Sequence, residues 1–189
     1  LIVWAGMIMG WLSTQGALAE DFNSILKIGS PAPAWKNLPG VDGRTHSLSD
    51  HAAKKLVVVV FTCNSCPVAT EYEDRIIALA KKFEKEVAFV AINVNKIAED
   101  DLDQMKARAE KKKFPYSYLF DESQQIAKDF GANYTPEFYV LGPDRTVAFM
   151  GSMDNHSSAD LVTEQYLEPA LESLLTGKAV EKTIVNPIG

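Results

Sequence analysis

Cysteine is scarce in this chain: 189 residues hold two, alongside three His and three Trp. Two Cys cannot build the disulfide-dense scaffold on which small secreted domains rely. A chain of this length buries roughly 70% of its unfolded surface and needs no such staples. Positive charge is also short, with 19 Lys and Arg against 25 Asp and Glu and a formal net charge of −6. That balance argues against a nucleic-acid binder, which presents a basic face. From Glu20 onward no apolar run reaches the length of a membrane span, which excludes a polytopic membrane protein. Internal repeats and low-complexity linkers are absent, so the length indicates one domain with short appendages.

Leu1–Ala19 lacks charged residues altogether. An apolar stretch that closes on Ala17-Leu18-Ala19, before Glu20-Asp21, is what signal peptidase reads. Nineteen uncharged residues also just span a bilayer. Residues 1–19 are therefore expected to be an export signal or, left uncleaved, an N-terminal anchor, the one route to a membrane. Either way the body, residues 20–177, is expected in a periplasmic or other extracytoplasmic compartment, where a disulfide persists. Residues 178–189 form a tail with little pattern.

Within the body, Leu56–Phe61 and Val87–Val94 are continuous apolar, β-branched runs, the mark of strands buried on both faces. Val68, Tyr72, Ile76, Leu79 and Phe83 recur at helical spacing, with Glu71, Asp74, Arg75 and Lys82 opposite. The segment 100–112 is predicted helical, acidic at its start and basic at its end, as the helix dipole favours. These charges read as a solvated face. Tyr116–Phe120 is a short strand, Ile126–Phe130 a brief helix closed by Gly131, and Phe138–Leu141 and Val147–Met150 two strands around Gly142-Pro143-Asp144-Arg145. Asp42-Gly43 marks a hairpin turn. Leu161–Leu175 is amphipathic and stops at Gly177. The alternation gives an α/β fold with helices on both faces of a central sheet.

The two cysteines lie together in Cys63-Asn64-Ser65-Cys66-Pro67, between a buried strand and a long helix. Their spacing lets two sulfurs meet in a disulfide. Proximity to a helix start is expected to place the Cys63 thiol well below its free pKa of ~8.5. A zinc site would need further ligands, but there is no second Cys pair, and His46, His51 and His156 lack ligand spacing. Haem attachment needs His after the second Cys, where Pro67 stands. An inert disulfide would gain little from closing so short a loop. A second feature is Tyr134-Thr135-Pro136, directly before a strand. Its proline is either a trans residue opening the strand or a cis one, since X-Pro bonds alone adopt cis readily.

Over residues 28–177 the chain resembles the thioredoxin-like superfamily, and within it the exported redoxins grouped with the alkyl hydroperoxide reductase and thiol-specific antioxidant family. The resemblance rests on Gly29-Ser30-Pro31-Ala32-Pro33, Asp42-Gly43, Leu56–Thr62 before the Cys pair, Asp121-Glu122-Ser123, and Gly131-Ala132-Asn133-Tyr134-Thr135-Pro136. It implies a thioredoxin-like fold with a central mixed sheet and a thiol-disulfide oxidoreductase. Cys63 would be the nucleophile and Cys66 the resolving thiol. Thr62, Asn64, Ser65 and Pro67 would shape the motif, and Thr135 and Pro136 would form a cis-proline loop that presents backbone to the substrate. The partners implied are protein thiols and disulfides and an upstream redox protein. No metal and no cofactor beyond the redox-active disulfide are expected.

The chain departs from thioredoxins at three places. Val57 replaces the buried Asp six residues before the first Cys, Thr62 replaces the Trp beside it, and Asn64-Ser65 replaces Gly-Pro. A peroxiredoxin-like peroxidase is the first alternative, with Cys66-Pro67 in the peroxidatic place. The Thr expected three residues earlier is Cys63, however, and Thr135-Pro136 stands where an Arg is expected. Arg145, in the next turn, is expected in solvent. A copper-delivery domain is the second alternative, with Met153 and His156 as soft ligands beside the thiols.

Overall fold

The computed structural model describes residues 22–189. The export signal or anchor expected at residues 1–19 lies outside them. A two-stranded hairpin, β1 (Leu38–Pro39) and β2 (Thr45–His46), precedes β3 (Leu56–Phe61) and α1 (Pro67–Lys82). Next come β4 (Val87–Asn93), α2 (Leu102–Lys112), β5 (Ser117–Phe120) and α3 (Gln125–Phe130). The chain then forms β6 (Glu137–Leu141), β7 (Val147–Gly151) and α4 (Leu167–Leu175). The main sheet has the order β5-β4-β3-β6-β7, with β5, β4 and β3 mutually parallel and β6 antiparallel to both of its neighbours. This is the mixed α/β sheet with helices on both faces that the sequence indicates.

The two central runs are buried on both faces because both are covered. Val57, Val59 and Phe61 face a core closed by α3 residues Ile126, Ala127 and Phe130 and by Trp35 and Leu26 from the N-terminal segment. Leu56, Val58 and Val60 face the opposite core, filled by Tyr72, Ile76 and Leu79 of α1 and Leu167 and Leu171 of α4. Each fully buried side chain of this kind contributes about 1.5–3 kcal/mol relative to exposure. Among the described residues no helix is long and apolar enough to cross a membrane.

Two helices start later than their periodicity suggests. Asp101, whose side chain accepts from the Gln104 N–H at 2.8 Å, caps α2, so Asp100 lies outside it in a 3₁₀ turn, Ala98–Asp100. The predicted helix from Leu161 is instead a 3₁₀ turn, Ala159–Leu161, then extended chain, with α4 opening only at Leu167. Asn155 N–H donates to the Glu164 carbonyl at 3.1 Å, and Tyr166 and Leu167 N–H both donate to the Met153 carbonyl at 3.0 Å. A helix through this segment would lose those bonds and place Pro169 in its interior, whereas here Pro169 lies in the first turn, where proline is tolerated.

The tail is not loose appendage. Met150 of β7 exchanges backbone bonds with Thr183 and Val185 at 2.9 and 3.1 Å, adding a short parallel bridge at the sheet edge.

Candidate active site

Sheet register assembles the site. Phe61, the last residue of β3, pairs antiparallel with Glu137, the first of β6. Two residues past Phe61 lies Cys63, and two residues before Glu137 lies Thr135, so the ladder carries these two to the same end of the sheet. The Cys63 Sγ is 3.7 Å from the Thr135 hydroxyl, and the Cys66 Sγ donates to the Thr135 carbonyl at 3.2 Å. The Thr135–Pro136 peptide bond is cis. Both cysteines are free thiols. Tyr134, directly before this loop, is 43% exposed.

The two sulfurs sit in different settings. α1 begins at Pro67, and its N-cap is Cys66. Cys66, not Cys63, therefore stands at the positive end of the helix dipole. Cys63 lies three residues earlier and is only 4% exposed, whereas Cys66 is half-buried. The expectation of an acidified Cys63 thiol is corrected accordingly. Burial pushes the Cys63 thiol up against opposing bonds from Thr135 and Ser65, and the nearby Asp100 carboxylate adds a lesser upward push.

Asp100 was not legible as a site residue. It is fully buried and grips the loop between the cysteines. Its Oδ1 accepts from the Asn64 and Ser65 N–H groups at 2.5 and 3.2 Å, and its Oδ2 accepts from the Ser65 hydroxyl at 2.5 Å and Asn95 Nδ2 at 3.0 Å. Asn93 Nδ2, at the end of β4, holds the Asp100 carbonyl at 2.9 Å. The Asn64 side chain donates to the Glu99 carbonyl and accepts from the Tyr118 hydroxyl at 3.1 Å. Thr62 supports the loop from its backbone, donating to Ile92 at 3.1 Å. Asp100 shares the acidic start of α2 with Asp101 and Asp103. In sequence either Asp100 or Asp101 can cap the helix, and the structure gives the cap to Asp101 and turns Asp100 inward.

Glu137 is a second buried carboxyl group. It accepts from the Asn133 and Tyr134 N–H groups at 2.9 and 3.1 Å and from the Tyr139 hydroxyl, bracing the loop before Pro136. A lone charge at the head of the apolar run Glu137–Leu141 is a signal in the sequence that pattern reading passed over. Val57 is buried in β3, so carboxylates near the site come from the β4–α2 connection and from β6 rather than from below the cysteines.

The four arginines of the chain are engaged elsewhere. Arg44 pairs with Asp42, and Arg108 holds Glu73 through two bonds of 2.8 Å. Arg75 binds Asp154 and the His156 and Ser157 carbonyls. Arg145 is not in solvent as expected. Half-buried, it donates to the carbonyls of His51, Lys54 and Gly142 at 2.7–3.0 Å, at the end of β3 opposite the cysteines. Of the charges expected on a solvated face at the two ends of α2, Asp101, Asp103, Lys111 and Lys113 are exposed, and Asp100 is buried. Met153 is buried in the α1–α4 core, and His156 accepts from the Ser158 N–H at 3.0 Å. Among the described residues no group of three or more His, Cys, Asp or Glu is placed to hold a metal ion.

The tail reaches this site. A Cβ on Gly189 would stand 2.8 Å from the Thr135 carbonyl oxygen and 2.9 Å from its nitrogen, so residue 189 packs directly on the cis-proline loop.

The AhpC/TSA family matches residues 28–150. A chloroplastic peroxiredoxin Q from Suaeda salsa is 34% identical over 103 residues, 54% of this chain and 46% of that protein. The chain thus spans about half the length of that curated relative. A solved structure of an uncharacterized conserved protein from Geobacillus kaustophilus superposes with a TM-score of 0.80 at 32% identity, covering 86% of this chain and 89% of that one. The thioredoxin domain of a thiol-disulfide oxidoreductase from Bacteroides vulgatus shares the fold at 17% identity, with a TM-score of 0.56 over 65% of this chain and 86% of that one.

Proposed function

The chain belongs to the AhpC/TSA family, and from that premise we propose that it is a thiol-disulfide oxidoreductase working through Cys63 and Cys66. The observation that supports this most is the convergence of both sulfurs on Thr135 beside a cis proline. The roles implied by the resemblance are exchanged in this reading. Cys66, the more exposed thiol at the N-cap of α1, meets the partner, and the buried Cys63 resolves.

In the reducing direction the Cys66 thiolate attacks one sulfur of a partner disulfide. That S–S bond breaks, a mixed disulfide forms, and the other partner sulfur leaves as a thiolate that takes up a proton. Cys63 then gives up its proton and attacks the Cys66 sulfur, forming the Cys63–Cys66 disulfide and releasing the second partner thiol. Two electrons have passed from the pair to the partner, and an upstream dithiol protein must return them. Exposed Tyr134 supplies an apolar lip for the entering chain.

Insulin disulfide reduction with dithiothreitol as electron source tests the reading. Cys66→Ser should abolish acceleration, and Cys63→Ser should stall as a mixed disulfide visible on a non-reducing gel. Equal rates for wild type and both variants would remove the pair from the reaction. A thiol peroxidase is the second reading, favoured by the peroxiredoxin Q relative and by Cys66-Pro67 at the helix start. It lacks support from the arginines, all committed elsewhere, and is recognised by hydrogen peroxide consumption that depends on Cys66 and matches or exceeds the rate of disulfide reduction.

A further inference from the structure

Asp100 sits where the oxidoreductase chemistry makes a buried anion hard to ignore. An internal carboxylate with four bonds is well satisfied, so packing alone would explain its persistence. What packing does not explain is the choice of donors. Three of the four come from Asn64 and Ser65, the residues between the two cysteines. Successive peptide N–H groups and a neighbouring hydroxyl are the groups that stabilise an anion at a loop of this kind. Here they are turned to Asp100. The Ser65 hydroxyl has a single proton, and it lies 2.5 Å from Asp100 Oδ2 but 3.8 Å from the Cys63 Sγ.

We propose that Asp100 is a positioning residue that keeps the Cys63 thiol protonated by occupying the loop donors that would otherwise hold its thiolate. The assignment rests on the exchange reading above for its meaning, though not for its measurement. In that reading Cys63 acts second, after the mixed disulfide has formed. A thiol held protonated until then does not compete with Cys66 for the incoming partner. Asp100 faces Cys63 from the 3₁₀ turn and Tyr118 from β5, and neither is a cation. Cys66, at the head of α1, offers Cys63 its backbone N–H, which works in the opposite direction. The Glu137 carboxyl of β6 is turned to Asn133, Tyr134 and Tyr139 instead.

The test uses the Cys66→Ser background, in which Cys63 is the single thiol, and follows its alkylation by iodoacetamide against pH. Adding Asp100→Asn removes the charge at nearly constant shape. The expected result is a midpoint lowered by about one pH unit and alkylation about threefold faster at pH 7, since nucleophilicity falls as basicity falls. An unchanged or raised midpoint in a folded variant, checked by circular dichroism, would overturn the assignment. Should that variant not fold, Asn95→Ala decides. Asn95 is half-buried, touches Asp100 and makes no bond to Cys63, and its removal leaves the carboxylate less neutralised. The midpoint should then rise, and one equal to or below the reference would overturn the assignment. The readout needs no partner disulfide. A shifted midpoint in a protein that fails to reduce insulin would sink the exchange reading alone, and an active protein with an unshifted midpoint would sink the role of Asp100 alone.

Discussion

Glu137 shows what one residue does at the end of an apolar strand. Burial pushes its carboxyl up from the ordinary value of 4.5, against opposing bonds from Tyr139 and the Asn133 and Tyr134 N–H groups. The unfolded chain releases this proton as pH rises through 4.5, while the native chain holds it to higher pH. Folded protein therefore binds more protons across that window, and stability falls as pH rises through it. Glu137→Gln keeps the shape. Its oxygen can accept from the two loop N–H groups, and its NH₂ can donate to the Tyr139 oxygen, whose proton turns to the Phe130 carbonyl 3.1 Å away. Urea unfolding from pH 4.5 upward should show wild type losing stability relative to Glu137→Gln. Parallel curves would mean that the proton on Glu137 does not contribute.

At the scale of elements, the loop between β7 and α4 is held by α1. Arg75 reaches across to the buried Asp154 and two loop carbonyls, and its guanidinium lies 3.9 Å over the Tyr72 ring. Removing one partner of a buried pair strands the other charge, so Arg75→Ala should cost about 3 kcal/mol in urea unfolding. Arg75→Lys should restore little of it, because a single ammonium cannot bridge the carboxylate and both carbonyls. A loss near that of an exposed pair, below about 1 kcal/mol, would show that the loop holds without Arg75. The same loop explains why α4 is shorter than its periodicity suggests. Leu167, Leu171 and Leu174 recur at helical spacing in an amphipathic segment that reaches back to Leu161, yet backbone partners in residues 153–155 claim the chain from 161 to 167. Periodicity reports which faces of a segment are apolar, and it is blind to a strand-like neighbour that arrives from elsewhere.

For the whole molecule, the tail links the sheet edge to the site. Gly151 has φ +129°, and a Cβ there would fall 1.7 Å from the Val185 carbonyl oxygen. Only glycine permits so close an approach of β7 and the tail. Gly151→Ala should displace residues 183–185, cost about 2 kcal/mol or more in thermal unfolding and draw Gly189 off Thr135. Trypsin should then cut faster at Lys182. An unchanged melting temperature and cleavage rate would mean that the tail shifts freely and contributes nothing to the fold. The composition of residues 178–189 gave no hint of this contact, because it depends on where β7 ends in space.

Local pattern was enough to place the two central strands and the long helix and to single out Cys63-Asn64-Ser65-Cys66 and Thr135-Pro136, while the meeting of these two motifs was implied only by the family resemblance. Apolar runs, helical periods and turn residues act over a few positions, and each is written where it acts. Tertiary structure alone decided which cysteine caps α1, that Pro136 is cis, and that Asp100, Glu137 and Gly189 belong around the site. Those outcomes turn on strand register and on the neighbours that register brings together. A carboxylate looks the same in sequence whether water or a peptide N–H receives it, and for Asp100 the end of β4 beside β3 settles the matter.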